Sequence, residues 1–560
     1  MREAGRPSRW PVWLALLALT ALAIWLGEYD LSTLTSAQGR AQIWERLRAL
    51  GAAFAHPDLR PEFLARGADL AATTVATATL GFAFAAVLGF LLALATSRNV
   101  MVGDARGWPR TLRVCVREGA RLLQDVLRGI PDFAWALILV AFVGLGSPAG
   151  ILALGLNVAG ILARVFSEQF DAVPERALEP LRASGASRLQ VFAYGVVPAI
   201  GADMLSFGLL RWECAMRNAS VIGAVGGGGL GADLKDYLNQ GEYDKVVTLL
   251  GFLLLVTAGS DLLGQFLRAR LRHDPEHPRA RPAAVADVAV QRRRFLAGCL
   301  AVGAMLALSL AWTWRDLQGV VFGGEDGAAW RIFSGLLTPD WSRFGRALES
   351  SWAPLSIAWI ATGLAVVASV VLSFPGSVTF QLLAGRFAAR ARGRFLGGLA
   401  LVVVRLLAIV ARGVPEVFWA IWFVSLFKLG TFAALCAIAV HTFGLLLRLF
   451  VESVDAVPLH RLEAVQSATQ SRAKTYAYAV VPAVAPHWIA NSFFQFESNL
   501  RASIVLGMVG LPGLGYLFDS ALQFFRMEQA SMFALVMVAW ALLLDRLSRW
   551  LGLARARLAG

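Results

Sequence analysis

Charged side chains are scarce in this chain: 16% of its 560 residues are Asp, Glu, Lys or Arg, against about a quarter in soluble proteins. That deficit excludes a string of ordinary soluble domains. Lysine almost vanishes, with only Lys235, Lys245, Lys428 and Lys474. None of them follows a glycine, so the chain has no Gly-x-x-x-x-Gly-Lys-Ser/Thr loop and cannot hydrolyse ATP by that route. Cysteine is sparse too. Cys115, Cys214, Cys299 and Cys436 show no Cys-x-x-Cys spacing, which argues against a disulfide framework and against a metal site. His273 and His277 lie four apart, but the Arg/Pro-rich segment around them offers no further ligand. A solvated linker is expected there.

What fills the chain is apolar. Hydrophobic residues make up 57% of it and the mean hydropathy is +0.60. Crossing a bilayer core takes about 20 apolar residues per helix, and many windows qualify. The net charge of +14 does not point to nucleic acid, because Lys and Arg sit in short runs beside apolar windows. That is the pattern of the positive-inside rule. Residues 11–27 follow Arg2, Arg6 and Arg9 as a signal peptide core would, but no small-x-small site closes them before Glu28. An uncleaved first membrane helix is expected.

A shift of 284 residues lays the sequence onto itself. Arg128-Gly129-Ile130-Pro131 returns as Arg412-Gly413-Val414-Pro415, and Trp135 as Trp419. Asp171-Ala172-Val173-Pro174 returns as Asp455-Ala456-Val457-Pro458. Tyr194, Pro198, Glu213 and Arg217 return as Tyr478, Pro482, Glu497 and Arg501. The offset holds from residue 128 to 231. The chain therefore divides into a first repeat (1–272), a linker (273–294) and a second repeat (295–560).

Apolar windows place helices near 11–27, 72–96, 130–147, 149–166, 195–216 and 246–267, then near 296–313, 356–374, 399–426, 431–450, 479–500 and 532–552. The expected fold is an all-α, polytopic membrane protein of about twelve transmembrane helices. Segments 97–128 and 268–294 are rich in arginine, whereas loops 28–71 and 314–350 have no basic excess. This asymmetry puts both termini, the linker and the first arginine segment on the cytoplasmic side. Six helices per half make the two halves parallel repeats.

Segment 167–194 carries Glu179-Pro180-Leu181-Arg182-Ala183-Ser184-Gly185-Ala186-Ser187, which reads as helix, break, helix. Pro174 or Pro180 opens the first helix, Gly185 supplies the left-handed turn that stops it, and Ser187 with Gln190 makes a capping box for the second. The result is a cytoplasmic knob that a soluble partner can grip. In the second repeat Thr469 replaces Gly185 and Lys474 replaces Gln190, so the capping box is lost. Val221–Gly231 is glycine-rich, with Gly226, Gly227, Gly228, Gly229 and Gly231. Its counterpart keeps Gly510, Gly513 and Gly515 but is interrupted by Leu511-Pro512. Such glycines suit close helix packing or a gate.

The knob's Glu-x-x-x-x-x-Gly spacing, with Pro198 at the next helix, is similar to the coupling loop of bacterial ABC importer permeases. Arg128–Pro131, Trp135, Glu168, Trp212-Glu213…Arg217 and the glycine stretch make each half resemble the phosphonate permeases of the PhnE type. That resemblance implies two permeases of the ABC importer permease fold, joined head to tail in a bacterial inner membrane. It implies no catalytic residue and no cofactor in this chain. ATP and Mg would be held by two copies of a separate ABC ATPase, and a periplasmic substrate-binding protein would deliver a phosphonate-like anion. Glu179, Ala183 and Gly185, with Glu463, Ala464 and Thr469, would be the coupling residues. A phosphite or phosphate cargo, or an ion-driven secondary transporter, are the rival readings.

Glu213 and Arg217 lie four apart on one helix, and Glu497 and Arg501 repeat them. A charge at the bilayer centre costs about 2.5–3.5 kcal/mol on insertion scales. Two accounts stand: an i,i+4 pair that neutralises itself, or arginines that offer guanidinium forks to an oxyanion in the pathway.

Overall fold

A computed structural model describes residues 10–102, 108–271, 285–322, 334–335, 337–381, 391–427, 430–469, 471–507 and 511–559. Among them the chain is helical and contains no strand. A helix satisfies its backbone within its own segment, which is what an apolar chain in lipid requires.

The first repeat builds ten principal helices. These are α1 (Trp10–Leu26), α2 (Pro61–Thr96), α3 (Trp108–Gly129), α4 (Asp132–Val143), α5 (Ser147–Ala172), α6 (Glu175–Ala183), α7 (Arg188–Val191), α8 (Val197–Ile222), α9 (Leu230–Gln240) and α10 (Tyr243–Leu271). The second repeat builds α11 (Val285–Phe322), α12 (Trp352–Gly376), α13 (Ala391–Gly413), α14 (Glu416–Phe427), α15 (Thr431–Asp455), α16 (Leu459–Thr469), α17 (Arg472–Thr475), α18 (Val481–Gly507), α19 (Leu514–Gln523) and α20 (Met527–Ala559). Each helix of the first set has its counterpart ten numbers on. The helices α4 and α14 are displaced by 284 at both ends, as are α7 and α17.

All twelve expected windows fall on helices. Eight described helices are long and apolar enough to cross a membrane, and Leu17–Leu26, Glu416–Phe427 and Met527–Leu543 are shorter apolar ones. The 27-residue α18 stands outside both groups because it carries His487, Gln495, Glu497, Asn499 and Arg501. Three expectations need correction. Within the expected loop 28–71, Ala37–Ala55 form a 19-residue helix. Residues 108–129, expected in a loop, form α3. The single helix expected over 399–426 is broken at Val414-Pro415 into α13 and α14. At 12 residues, α4 is about 18 Å long, too short to cross alone, and α3 leads into it. Of the expected linker, residues 273–284 lie outside the described residues and 285–294 open α11.

Contacts divide the chain into two compact units that do not coincide with the two repeats. One unit joins residues up to Ala52 to those from Gly335 onward, and the other spans Ala53–Ser334. The first helix of each repeat thus packs in the unit built mainly from the other repeat. Within the first unit α1 lies along α12: Trp359 Nε1 donates to Thr20 Oγ1 (3.2 Å), Ser356 Oγ donates to the Ala23 carbonyl, and Tyr29 hydrogen-bonds Ser356 (2.8 Å). Within the second unit α11 packs on α2, where Trp312 Nε1 donates to Thr73 Oγ1 (3.2 Å), and Ser147 Oγ donates to Asp316 (2.6 Å).

Both units tie the end of the α2-type helix to the α5-type helix through one carboxylate. Asp171 accepts from Ser97 Oγ (2.7 Å) and from the Asn99 and Arg98 amides (3.0 and 3.1 Å). Asp455 accepts from Ser377 Oγ (2.5 Å), the Thr379 amide (3.1 Å) and Arg405 Nη2 (3.1 Å).

The exchange of first helices is testable by cross-linking. A Cβ on Gly27 would lie 2.6 Å from Ser356 Oγ, within disulfide reach. Gly27→Cys with Ser356→Cys, in a chain carrying a protease site at residues 274–275, should keep the cut halves together on a non-reducing gel. Separation of the halves under oxidant would refute the packing.

Candidate functional site

The exposed knob is built as its residues dictate. Pro174 is the residue that caps α6, and Pro180 lies inside the helix. At Gly185 the backbone turns left-handed (φ +82°), and the Gly185 and Ala186 amides return to the carbonyls of Arg182 and Leu181 (3.0 and 3.2 Å). Glycine takes this conformation without a Cβ penalty. The capping box is complete: the Ser187 amide donates to Gln190 Oε1 (2.7 Å) and the Gln190 amide to Ser187 Oγ (3.4 Å). Val173, Leu178, Val191, Phe192 and Val196 anchor the knob in the core, with Phe192 edge-on to Phe170 (5.0 Å). Glu179, Ala183 and Gly185 are exposed.

The second knob keeps this form with different turn chemistry. Val457, Leu462 and Val480 are buried as their counterparts are, and Glu463 and Ala464 are exposed. Without a glycine α16 runs on through Thr469, whose Oγ1 donates to the Val465 carbonyl (3.0 Å). Ser471 Oγ still accepts from the Lys474 amide (3.5 Å), but lysine has no acceptor with which to complete the box. Tyr476, where the first repeat has Phe192, adds hydrogen bonds to Ser373 (2.6 Å) and the Val370 carbonyl (3.0 Å).

At the other end of α8 the glycine stretch reverses the chain, with positive φ at Gly226, Gly228 and Gly229 and at Gly513 in the second repeat. Gly227 is buried. Gly231 and Gly515 press on the preceding helix: a Cβ at either would fall onto a backbone carbonyl oxygen, of Ser220 or Ile504. The packing role explains these two. Gly510 lies outside the described residues.

Arg-Gly-Ile-Pro and Arg-Gly-Val-Pro are helix breaks whose loose carbonyls are satisfied from elsewhere. Asn157 Nδ2 donates to the Ile130 carbonyl (2.8 Å), and His441 Nδ1 takes the same place on the Val414 carbonyl (3.1 Å). Trp135 and Trp419 donate to the carbonyls of Leu127 and Ala411, each at 3.1 Å. The acid after each proline is engaged, Asp132 with Asn218 Nδ2 (2.6 Å) and Glu416 with His441 Nε2 (3.5 Å).

The buried charges differ between the repeats. In the second, Arg501 Nη1 donates to Glu497 Oε1 (2.8 Å) along α18, the expected i,i+4 pair. In the first this pairing is replaced by two contacts across to α10. Glu213 takes Arg268, and Arg217 lies 4.0 Å from Asp261. The reason is local. Gly264 has no side chain, so Glu213 lies against α10 and meets Arg268 there. Arg217 Nε is buried without a hydrogen-bond partner. Sequence reading missed Asp261, Arg268, Asp132, Asn157 and His441, although Asp261 recurs as Asp545 at the same offset. It also missed a polar core in the second repeat. There Asn499 accepts from Thr442 and Gln495 (2.9 and 3.0 Å) and donates to Thr362 (2.8 Å).

Comparison with known proteins follows the same repeat. The family of "Binding-protein-dependent transport system inner membrane component" matches residues 110–273 and again 381–555. The chain is 28% identical over 494 residues to the "Phosphate-import permease protein PhnE" of Mycolicibacterium smegmatis, covering 87% of this chain and 85% of that one. It is 34% identical over 198 residues to the "Putative phosphite transport system permease protein HtxC" of Stutzerimonas stutzeri, covering 35% of this chain and 67% of that one. Among solved structures, an inward-facing MetNI methionine ABC transporter chain is 20% identical with a TM-score of 0.33, covering 39% of this chain and 99% of that one.

The cross-helix pair gives a stability prediction. Arg268→Gln takes the arginine away from the buried Glu213 carboxylate and should destabilise the detergent-solubilised protein by about 3 kcal/mol. Adding Glu213→Gln should restore most of the loss. A thermal melt in which the double variant is no better than the single would refute the pairing.

Proposed function

Since this chain belongs to the family of binding-protein-dependent transport system inner membrane components, carrying the family's domain twice, we propose that it imports a small phosphorus oxyanion: a phosphonate, phosphite or phosphate. It is the multi-pass membrane permease subunit of an ABC importer and is not itself an enzyme. Its family works with an ATPase and a substrate-binding protein. An ion-driven mechanism does not fit that membership.

The observation that carries the coupling half of this reading is the exposed knob, present in both repeats with buried apolar anchors at matching positions. Each knob engages one ATPase copy, with Glu179, Ala183 and Gly185 on one side and Glu463, Ala464 and Thr469 on the other. Two ATPases thus serve one fused chain and hold the ATP and Mg. The arginine excess near the knobs supports a cytoplasmic location for them and for both termini.

The buried arginines support the anionic cargo. A phosphoryl group carries about one to two negative charges near neutral pH, and in a low-dielectric passage it needs a cation opposite it. Arginine stays protonated and offers parallel donors to oxygen. Arg217, with its loosely held guanidinium, is the stronger candidate. Arg501 is already bound to Glu497, so it shares the anion more weakly and permits release.

Two predictions follow from these roles. Gly185→Val strains the left-handed turn by about 1–2 kcal/mol, shifting the knob's native population about five- to thirty-fold. Uptake should fall while ATP hydrolysis continues, whereas Thr469→Val should stay near the parent rate. Equal losses in proteoliposome uptake would show that the two turns do not differ. Arg217→Gln with Arg501→Gln should nearly abolish uptake of radiolabelled phosphate or phosphite while the ATPase still co-purifies. Normal transport by Arg217→Gln/Asp261→Asn, which removes Arg217 together with the carboxylate it faces, would show the arginine serving the fold instead.

A further inference from the structure

Helix α3 is amphipathic in an unusual sense: its apolar stripe faces outward. Trp108, Leu112, Val116, Leu122 and Leu123 are exposed (81, 58, 44, 63 and 48%), as is Cys115. On a helix of 3.6 residues per turn these positions form one continuous stripe, and Arg110, Arg113, Arg117 and Arg121 form another on the opposite side. Arg117 turns inward and donates to the Thr96 carbonyl at the end of α2 (3.2 Å). Arg110 is exposed and Arg113 half-buried, one to two turns further toward the N-terminus of α3.

The repeat supplies an independent observation. At the 284 offset Leu112, Cys115, Leu122 and Leu123 fall on Leu396, Leu399, Leu406 and Leu407 of α13, which are 60, 50, 57 and 50% exposed. Residues Phe395–Gly413 are long and apolar enough to cross a membrane, so that exposed stripe is a lipid-facing one. The same face of α3 occupies the same place in its own unit. Both helices set a backbone against an equivalent glycine, Gly160 of α5 for α3 and Gly444 of α15 for α13. Of the four arginines on the other side of α3, Arg110 and Arg121 recur as Arg394 and Arg405, and Arg405 Nε donates to the Gly376 carbonyl at the end of α12 (3.1 Å) as Arg117 does at the end of α2; Arg113 and Arg117 fall on Gly397 and Leu401.

We propose that α3 is a lipid-binding surface: its apolar stripe lies against acyl chains, and Arg110 and Arg113 hold the phosphate of an anionic phospholipid at the headgroup level beside the α2 terminus. An amphipathic basic helix joins apolar burial to headgroup charge in this way, and arginine's long stem allows its charge to reach the interface. This surface is separate from the buried arginines assigned to the cargo.

Cys115 provides the probe. In the full chain with Cys214, Cys299 and Cys436 replaced by alanine, a bimane on Cys115 should be quenched in nanodiscs by nitroxide-labelled acyl chains and not by aqueous iodide. Quenching by iodide alone, or protection that appears only on adding the ATPase, would overturn the proposal. In native mass spectrometry the parent should retain phosphatidylglycerol over phosphatidylcholine, and Arg110→Gln/Arg113→Gln should lose that preference about tenfold or more. An unchanged preference would remove the headgroup site.

Discussion

In lipid no water is available to a carbonyl that loses its helical partner, and the fold turns on how this chain meets that constraint. Pro131 and Pro415 each interrupt a helix, and an apolar helix follows each break. The released carbonyls are taken by Asn157 and His441, and the preceding turn by the indoles of Trp135 and Trp419. Because these donors come from α5 and α15 and from beyond the break, they fix the angle at which α4 and α14 leave α3 and α13. The acids Asp132 and Glu416 are placed by the same joint, and through Asn218 the first of them reaches the helix that carries Arg217.

The two repeats solve the same geometry with different chemistry. Val158 and Ala215 belong to an apolar core in the first unit, and their counterparts Thr442 and Asn499 are hydrogen-bonded in the second. Interhelical hydrogen bonds in membranes contribute about 0.6–2 kcal/mol each, so either solution suffices for packing. The buried charges diverge likewise: one pair reaches across to a neighbouring helix and the other stays along its own. A permease made of two identical chains cannot hold such differences. A fused one can, and its two sides are then free to specialise.

Much of this architecture was legible in the sequence. The 284-residue offset, the helix windows, the left-handed Gly185 and the Ser187–Gln190 box all rest on local patterns, and local patterns survive into structure. What stayed hidden depends on partners far along the chain. The Glu213–Arg268 contact spans 55 residues, and nothing in the spacing of Glu213 and Arg217 chooses between an in-helix and a cross-helix partner. The break within 399–426 was obscured because apolar residues flank Pro415 on both sides, so hydropathy runs through it. Residues 108–129 looked like a loop because arginine dominates their average, whereas periodicity would have separated the two faces.

The exchanged first helices impose an order on biosynthesis. The hydrogen bond from Trp359 to Thr20 joins residues 339 apart. At about 5–20 residues per second, α1 must wait in the bilayer for roughly 17–70 seconds before its partner helix leaves the ribosome. Within that interval the other unit completes its own helices through α10 and only then gains α11, which arrives after the linker. Neither unit can finish before the chain has passed its midpoint. Keeping both repeats on one polypeptide tethers the waiting helix to the partner it needs, so late assembly does not depend on a chance encounter between separate subunits in the membrane.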